Sequence, residues 1–234
     1  MIKAILFDLD GTLLPMDQDQ FIQAYLKKMA VKMAPRGYDP DLFVKAIWKG
    51  TAAMVANDGD QANEDVFWKT FSCIIGRDTK TDEPWFIEFY ENEFQSVKNV
   101  CGYHPMAAET IRVLKELGYQ VALATNPLFP AIATLSRVRW AGLDPDDFTL
   151  ITTYENSRHC KPNLDYYRDI LDMLELKGEE CVMIGNDVGE DMIAETLGMK
   201  VFLLTECLIN KNNTDISRYP HGSFPELLSF IQEL

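Results

Sequence analysis

The sequence predicts an α/β protein with a doubly wound parallel sheet into which a helical unit is inserted. Three observations predict it: short, nearly continuous apolar runs; helical patterns that alternate with the later runs; and a long stretch after the first run with helical periodicity and no strand. Runs of that kind suit strands covered on both faces, which is the situation in a parallel sheet.

Taken in order, the first strand is expected over residues 2–7, where Ile5, Leu6 and Phe7 lead straight into Asp8. From there to about residue 98 the apolar period becomes that of a helix. Phe21, Ile22, Tyr25, Leu26 and Met29 form one stripe, and Asp39 with Pro40 opens a second helix carrying Phe43, Ile47 and Met54. Residues 63–75, stopped by Gly76, and residues 83–94 supply two more. A helix over 105–117 ends at Gly118, and strands follow at 120–125 and 149–152. A helix over 163–176 behind Pro162, a strand at 181–184, a short helix over 191–197 closed by Gly198 and a strand at 200–204 complete the alternation. The expected division is a core of residues 1–15 and 99–234 with a helical insert of residues 16–98.

Composition narrows the function classes. Hydrophobic residues make up 47% and charged residues 25%, the balance of an ordinary globular chain. Against 22 Lys and Arg stand 36 Asp and Glu, a net charge of -14 with no basic run, which argues against nucleic acid and anionic membrane surfaces as partners. No apolar stretch reaches the ~18 residues of a membrane span. The first apolar run breaks at Asp8, too early for a secretory signal, so a cytoplasmic location is expected. The 5 cysteines are odd in number, widely spaced and without a C-x-x-C pair, which points to reduced thiols and to neither disulfides nor zinc.

The chemistry lies where strands end, because ligands of open α/β sheets bind beyond the carboxyl ends of the strands. The first strand delivers Asp8, Asp10, Gly11 and Thr12; the second delivers Thr125 and Asn126; Lys161 precedes Pro162 at a helix mouth; the fourth runs into Asn186, Asp187 and Asp191. Asp8 can serve as nucleophile or metal ligand, and Gly11 lets backbone approach an anion closely. Thr125 offers a hydroxyl near backbone N–H groups suited to phosphate oxygens, and Lys161 a compact positive charge. Carboxylates clustered as Asp8, Asp10 and Asp187 are repel each other unless a cation neutralises them, and an oxygen-only set fits magnesium better than calcium or zinc.

In that order FDLDGTL, the ATN after the second strand, the CKPN lysine and GNDVGED resemble the four signature motifs of the haloacid dehalogenase superfamily, mostly magnesium-dependent phosphatases. The resemblance spans residues 1 to about 204 and implies a Rossmann-like core with the insert as a helical cap. It further implies Asp8 as nucleophile, Asp10 as general acid and base, and Thr125, Asn126 and Lys161 as phosphate-binding groups. Mg2+ would be held by Asp8, Asp10 and Asp187, with Asp191 supporting. One departure is Asn186, which stands between Gly185 and Asp187 where many members have glycine directly before aspartate; which acid of the fourth motif meets the metal first stays open.

The expected function is hydrolysis of a small phosphorylated metabolite through an aspartyl-phosphate. A sugar phosphomutase on the same scaffold and a catalytically silent binding protein are the alternatives. Taken singly, each motif has a plainer reading as a turn former, helix cap or solvated charge, and only their joint placement at strand ends favours chemistry. His104 reads as a helix-entry residue and His159 as solvent-facing; Trp48, Trp68 and Trp85 read as interior of the insert. Arg36 and Arg77, in loops of the insert, read as exposed arginines that could also meet an anionic substrate tail.

Overall fold

In the computed structural model, which describes residues 1–234, six parallel strands form one sheet: β1 (Ala4–Phe7), β2 (Gln120–Leu123), β3 (Leu150–Ile151), β4 (Cys181–Gly185), β5 (Lys200–Leu204) and β6 (His221–Gly222). Between β1 and β2 lie α1 (Gln18–Met33), α2 (Pro40–Val55), α3 (Asn63–Ile75), α4 (Glu83–Glu91) and α5 (Pro105–Glu116). α6 (Ala131–Trp140) joins β2 to β3, α7 (Leu164–Leu174) joins β3 to β4, and α8 (Phe224–Gln232) follows β6.

The strand order is β3-β2-β1-β4-β5-β6, so the direction of winding reverses about β1. That reversal opens a crevice at the carboxyl end of β1, flanked by the ends of β2 and β4. Side chains alternate across each strand and sort into two cores. Ile5, Phe7, Val182 and Ile184 face the side covered by α5, α6 and α8, while Ala4, Leu6, Cys181 and Met183 face α7 and the turn Met192–Leu197. All four residues of β1 are fully buried, the reason its sequence is apolar without alternation.

The first two helices after β1, α1 and α2, begin with acidic caps. Asp17 accepts from Gln20 N–H at 3.0 Å and Asp39 from Leu42 N–H at 2.9 Å, with Pro40 in the first turn of α2. Phe43, Phe71 and Phe86 form the interior of the inserted helices, and that interior is continuous with the sheet's first core. The joints are aromatic: Phe94 against Trp140 at 4.9 Å and Phe21 against Phe129 at 6.1 Å between ring centroids. No helix is long and apolar enough to cross a membrane.

Each expected strand falls within its apolar run or extends it by one residue. Three elements were not foreseen: α6, α8 and β6. β6 is two residues long and carries no pattern, and α6 buries Ser136 and Arg137 among its apolar residues, which erases amphipathic spacing. α8 does carry a readable start, since Ser223 and Glu226 form a reciprocal cap. Several helices are shorter or tighter than expected; α7 ends at Leu174 because Glu175 takes left-handed backbone (φ 56°). α4 stops at Glu91 because Asn92 leaves helical backbone (φ −115°, ψ −84°), with tighter 3-10 turns following to Val100, and residues 192–197 are likewise 3-10.

Candidate active site

The loop after β1 is wound tightly. Thr12 and Leu14 both donate their backbone N–H to Leu9 O, at 3.1 and 2.9 Å, and Gly11 closes the turn by donating to Leu14 O at 2.8 Å. Gly11 has φ +87°, and a Cβ there would stand 2.4 Å from the Asn186 amide nitrogen, so both conformation and space demand glycine. Asp8 is anchored to β4 through its backbone N–H, which donates to Ile184 O at 2.9 Å.

Asp8 is buried, and both its carboxylate oxygens are engaged: Lys161 Nζ donates to Oδ1 at 2.8 Å and the Thr12 hydroxyl lies 3.1 Å from Oδ2. The same hydroxyl is 2.9 Å from Asn186 Oδ1, so Asp8 and Asn186 present oxygens to one side of Thr12. Lys161, 1% exposed, also donates to Asp191 Oδ1 at 2.6 Å. Burial works to lower the Lys161 pKa, but Asp191 and Asp8 overturn it and hold the ammonium charged well above its usual range. Burial pushes Asp191 up, against the pull of Lys161. Asp191 Oδ2 is fixed in turn by Asp187 N–H at 2.9 Å.

Asp10 faces a cation that the sequence reading missed. Arg137 of α6, fully buried, pairs with Asp10 Oδ2, and its guanidinium lies over the Phe129 ring at 4.3 Å. Asp10 Oδ1 is buried with no hydrogen-bond partner. Burial raises the Asp10 pKa, Arg137 opposes and the nearby Asp8 charge adds, with a net upward shift. Thr125 is fixed through its carbonyl, which accepts from the Thr152 and Tyr166 hydroxyls at 2.7 and 2.8 Å. Asn126 donates to Glu190 Oε2 at 3.0 Å and keeps its buried Oδ1 unpartnered. Glu190, another residue not foreseen, is shifted up by burial.

Helix α3 ties the inserted helices to this site. Asn63 Nδ2 lies within 3.5 Å of Pro127 O, His159 O and Cys160 Sγ, beside the two loops that carry Asn126 and Lys161. His159, expected in solvent, is instead mostly buried and paired with Asp169 at 2.8 Å. His104 stands at the helix entry as expected, capping α5.

Of the expected site residues, Asp8, Asp10, Thr125, Asn126, Lys161 and Asp191 meet at the crevice. Asp187 turns one oxygen to the backbone: its Oδ1 accepts from Gly189 and Glu190 N–H at 2.7 and 3.0 Å. Asn186 is the residue whose side chain meets Thr12, with its amide nitrogen held by Cys207 O at 2.6 Å. No three Asp, Glu, His or Cys side chains form a ready cluster for a metal. The site offers instead two carboxylates, Asp8 and Asp10, and the Asn186 amide oxygen, with Asp10 Oδ1 left orphaned. An all-oxygen set with few protein donors fits a hard cation such as magnesium, which keeps several waters.

A family model described as Hydrolase: haloacid dehalogenase-like hydrolase matches residues 2–194. Glyceraldehyde 3-phosphate phosphatase of Methanocaldococcus jannaschii is 25% identical over 237 residues, covering 100% of this chain and 99% of its own. Among solved structures, a HAD phosphatase from Thermococcus onnurineus aligns at a TM-score of 0.61 and 20% identity over 98% of both chains. The HAD-hydrolase YfnB from Bacillus subtilis, bound to magnesium, aligns at 0.58 and 18% identity over 100% of this chain and 99% of its own.

Gly185 ends β4 with no room for a side chain, since a Cβ would stand 2.0 Å from Asp191 Oδ2. Gly185→Ala is expected to displace Asp191 from Lys161 and to cost upwards of ~1–3 kcal/mol in urea denaturation. Gly189→Ala, where the nearest atom is 3.4 Å away, is expected to change stability by less than about 0.5 kcal/mol. Equal stabilities would show that Asp191 is not held as described.

Proposed function

We propose that this chain, which belongs to the haloacid dehalogenase-like hydrolases, is a magnesium-dependent phosphatase that hydrolyses a small phosphorylated metabolite through an aspartyl-phosphate on Asp8. The observation that carries the reading is the buried series Asp8, Lys161, Asp191, with Asp10 beside it holding an unpartnered oxygen. A catalytically silent binder has no need of a carboxylate oriented by a buried lysine next to a second acid of raised pKa. The name of the archaeal relative supports a phosphatase.

In this mechanism an Asp8 oxygen attacks phosphorus in line, and the bond from phosphorus to the leaving oxygen breaks. Asp10, whose raised pKa keeps a proton available, gives it to the departing alkoxide. Asp10 then takes a proton from a water whose oxygen attacks phosphorus, the bond to Asp8 breaks, and phosphate leaves with the carboxylate restored. Lys161 uses two of its three N–H donors on Asp8 and Asp191, leaving one for a phosphoryl oxygen. The Thr125 hydroxyl and the Asn126 side chain border the same space. Asp8 and the Asn186 oxygen would hold magnesium, which would offset charge on the phosphoryl group, with Asp10 beside them keeping its carboxyl for proton transfer. Residues 16–98 act as the cap over this chemistry, tethered through Asn63. A reducing compartment such as the cytoplasm suits the five free cysteines.

Asp8→Asn is expected to lower phosphatase turnover by about 1,000-fold or more in a protein that still folds, since the amide keeps shape and loses nucleophilicity, with a lowered melting temperature because Lys161 keeps Asp191 as its one counter-charge. In heavy-oxygen water the wild type should release labelled phosphate; isomerisation of a sugar phosphate without release would favour the mutase instead.

The pH profile gives a separate check. Arg137 lowers the Asp10 pKa, so Arg137→Met raises it further and keeps the acid protonated to higher pH. The alkaline limb of kcat/KM on an alkyl phosphate should therefore move upward. A limb that stays in place or moves down would mean that Asp10 is not the group giving up the proton.

The metal set is tested by calorimetric titration of magnesium. Asn186→Ala is expected to weaken binding about tenfold or more, and Asp187→Ala less, because Asp187 is turned to backbone N–H groups. The reverse order would return the metal to Asp187.

A further inference from the structure

The helices of residues 18–91 and the core form an apolar cavity of about 400 Å³ that opens to solvent past Trp48 and Ile87. Fifteen of its nineteen lining residues are hydrophobic, drawn from α1 to α4, from the segment Leu128–Ile132 and from Tyr154. No lysine, arginine or histidine lines it, and its formal charges are two carboxylates, Glu83 and Glu155. The Trp68 indole N–H in its wall is buried and makes no hydrogen bond; the Tyr154 hydroxyl stands beside it without closing one.

The cavity adjoins the site on the side of Asp10. Its core wall begins at Leu128, whose N–H donates to Asn126 O at 2.8 Å. The next residue in that wall, Phe129, is the ring on which the Arg137 guanidinium rests, and Arg137 pairs with Asp10. No residue of the site lines the cavity, and the Phe129 ring alone stands between its space and the Arg137–Asp10 pair, so the cavity neighbours the acid that would protonate a leaving group.

We infer that this cavity receives the leaving group of the substrate and that the leaving group is apolar: an aromatic or alkyl alcohol carrying at most one or two hydrogen-bond acceptors. The inference rests on the phosphatase reading above. A second phosphate or a carboxylate would find no lysine, arginine or histidine in the lining; the nearby Lys80 is taken up by Glu64 and Glu83, and Glu155 is turned to the Ala131 N–H. A polyol would leave most of its hydroxyls unpaired against aromatic walls. An apolar alcohol loses nothing of the kind, and a single acceptor on it would satisfy the Trp68 indole. The volume suits one ring, two fused rings or a medium alkyl chain.

The test is a series of n-alkyl phosphates from ethyl to octyl, whose leaving groups differ in buried length and hardly in acidity. Within the reach of the cavity, kcat/KM should rise roughly fourfold per added methylene, and 2-phenylethyl phosphate should outrun glycerol phosphate, whose alcohol is of comparable acidity. 1-Naphthol should inhibit competitively. Ile87→Asp, at the cavity rim with Ile87 41% exposed and so tolerant of change, should flatten the alkyl series. A flat or falling series in an enzyme that hydrolyses phosphate esters would overturn the inference and leave the phosphatase reading standing. Noncompetitive inhibition by 1-naphthol would overturn it too, by showing a site separate from the leaving group. Failure to hydrolyse any ester defeats the phosphatase reading and the leaving-group role with it; quenching of tryptophan fluorescence by 1-naphthol would then report whether the cavity binds apolar alcohols at all.

Discussion

The site depends on one buried ammonium. Lys161 is almost wholly excluded from water, where an unpaired charge would cost several kcal/mol, and two carboxylates 2.8 and 2.6 Å away compensate it. Those carboxylates arrive from opposite directions, Asp8 from the end of β1 and Asp191 from the loop behind β4, while the lysine comes from the loop before α7. Removing either acid would leave a buried cation half compensated, and removing the lysine would set two buried anions against each other. The three segments are therefore bound to one geometry, and further groups hold the anions in place: Thr12 on Asp8, and the Asp187 N–H on Asp191.

That geometry is inherited from the sheet. The register pairs Phe7 with Ile184, which brings Asp8 level with Gly185, and the missing side chain at Gly185 is the space that the Asp191 carboxylate fills. A slip of one residue between β1 and β4 would exchange the two faces of the strand and expose Ile5 and Phe7 to the wrong core. Packing on both faces of the sheet thus fixes the position of a carboxylate that itself contributes nothing apolar.

Much of this was legible in the sequence. Apolar runs without alternation marked the buried parallel strands, and carboxylates directly after them marked the crevice, because both signals come from local chemistry. Arg137 was not legible: it lies 127 residues from its partner Asp10 on a helix whose polar residues point inward, so no period betrays it. Asn186 was set aside in favour of Asp187 because an acid is the more obvious metal donor. The proposal of Asn186 in its place rests on the turn that Asp187 begins, in which its Oδ1 closes on the N–H groups of Gly189 and Glu190, a backbone detail with no signal in the sequence. The start of α8 was there to be read in the Ser223 and Glu226 pair, but β6, only two residues long, had no signal to give.

The distribution of cations divides recognition in the proposed reaction. Arg36 and Arg77, the inserted helices' candidates for an anionic substrate tail, are already committed. Arg36 pairs with Glu88 and lies over Trp85, and Arg77 pairs with Asp82 and lies over Tyr38. In the core, Arg137 is taken up by Asp10, and Lys161 keeps one donor beyond its two carboxylates. A phosphoryl dianion thus meets its positive charge at the strand ends, from Lys161 and a bound divalent cation, while the inserted helices bring an aromatic enclosure with no cation in its wall. Such an enclosure can distinguish substrates by the shape and apolar area of the alcohol, and cannot do so by charge. Selectivity of that kind is coarse, worth about 0.8 kcal/mol per methylene, so under the proposed reaction it would favour a class of phosphate esters over a single one.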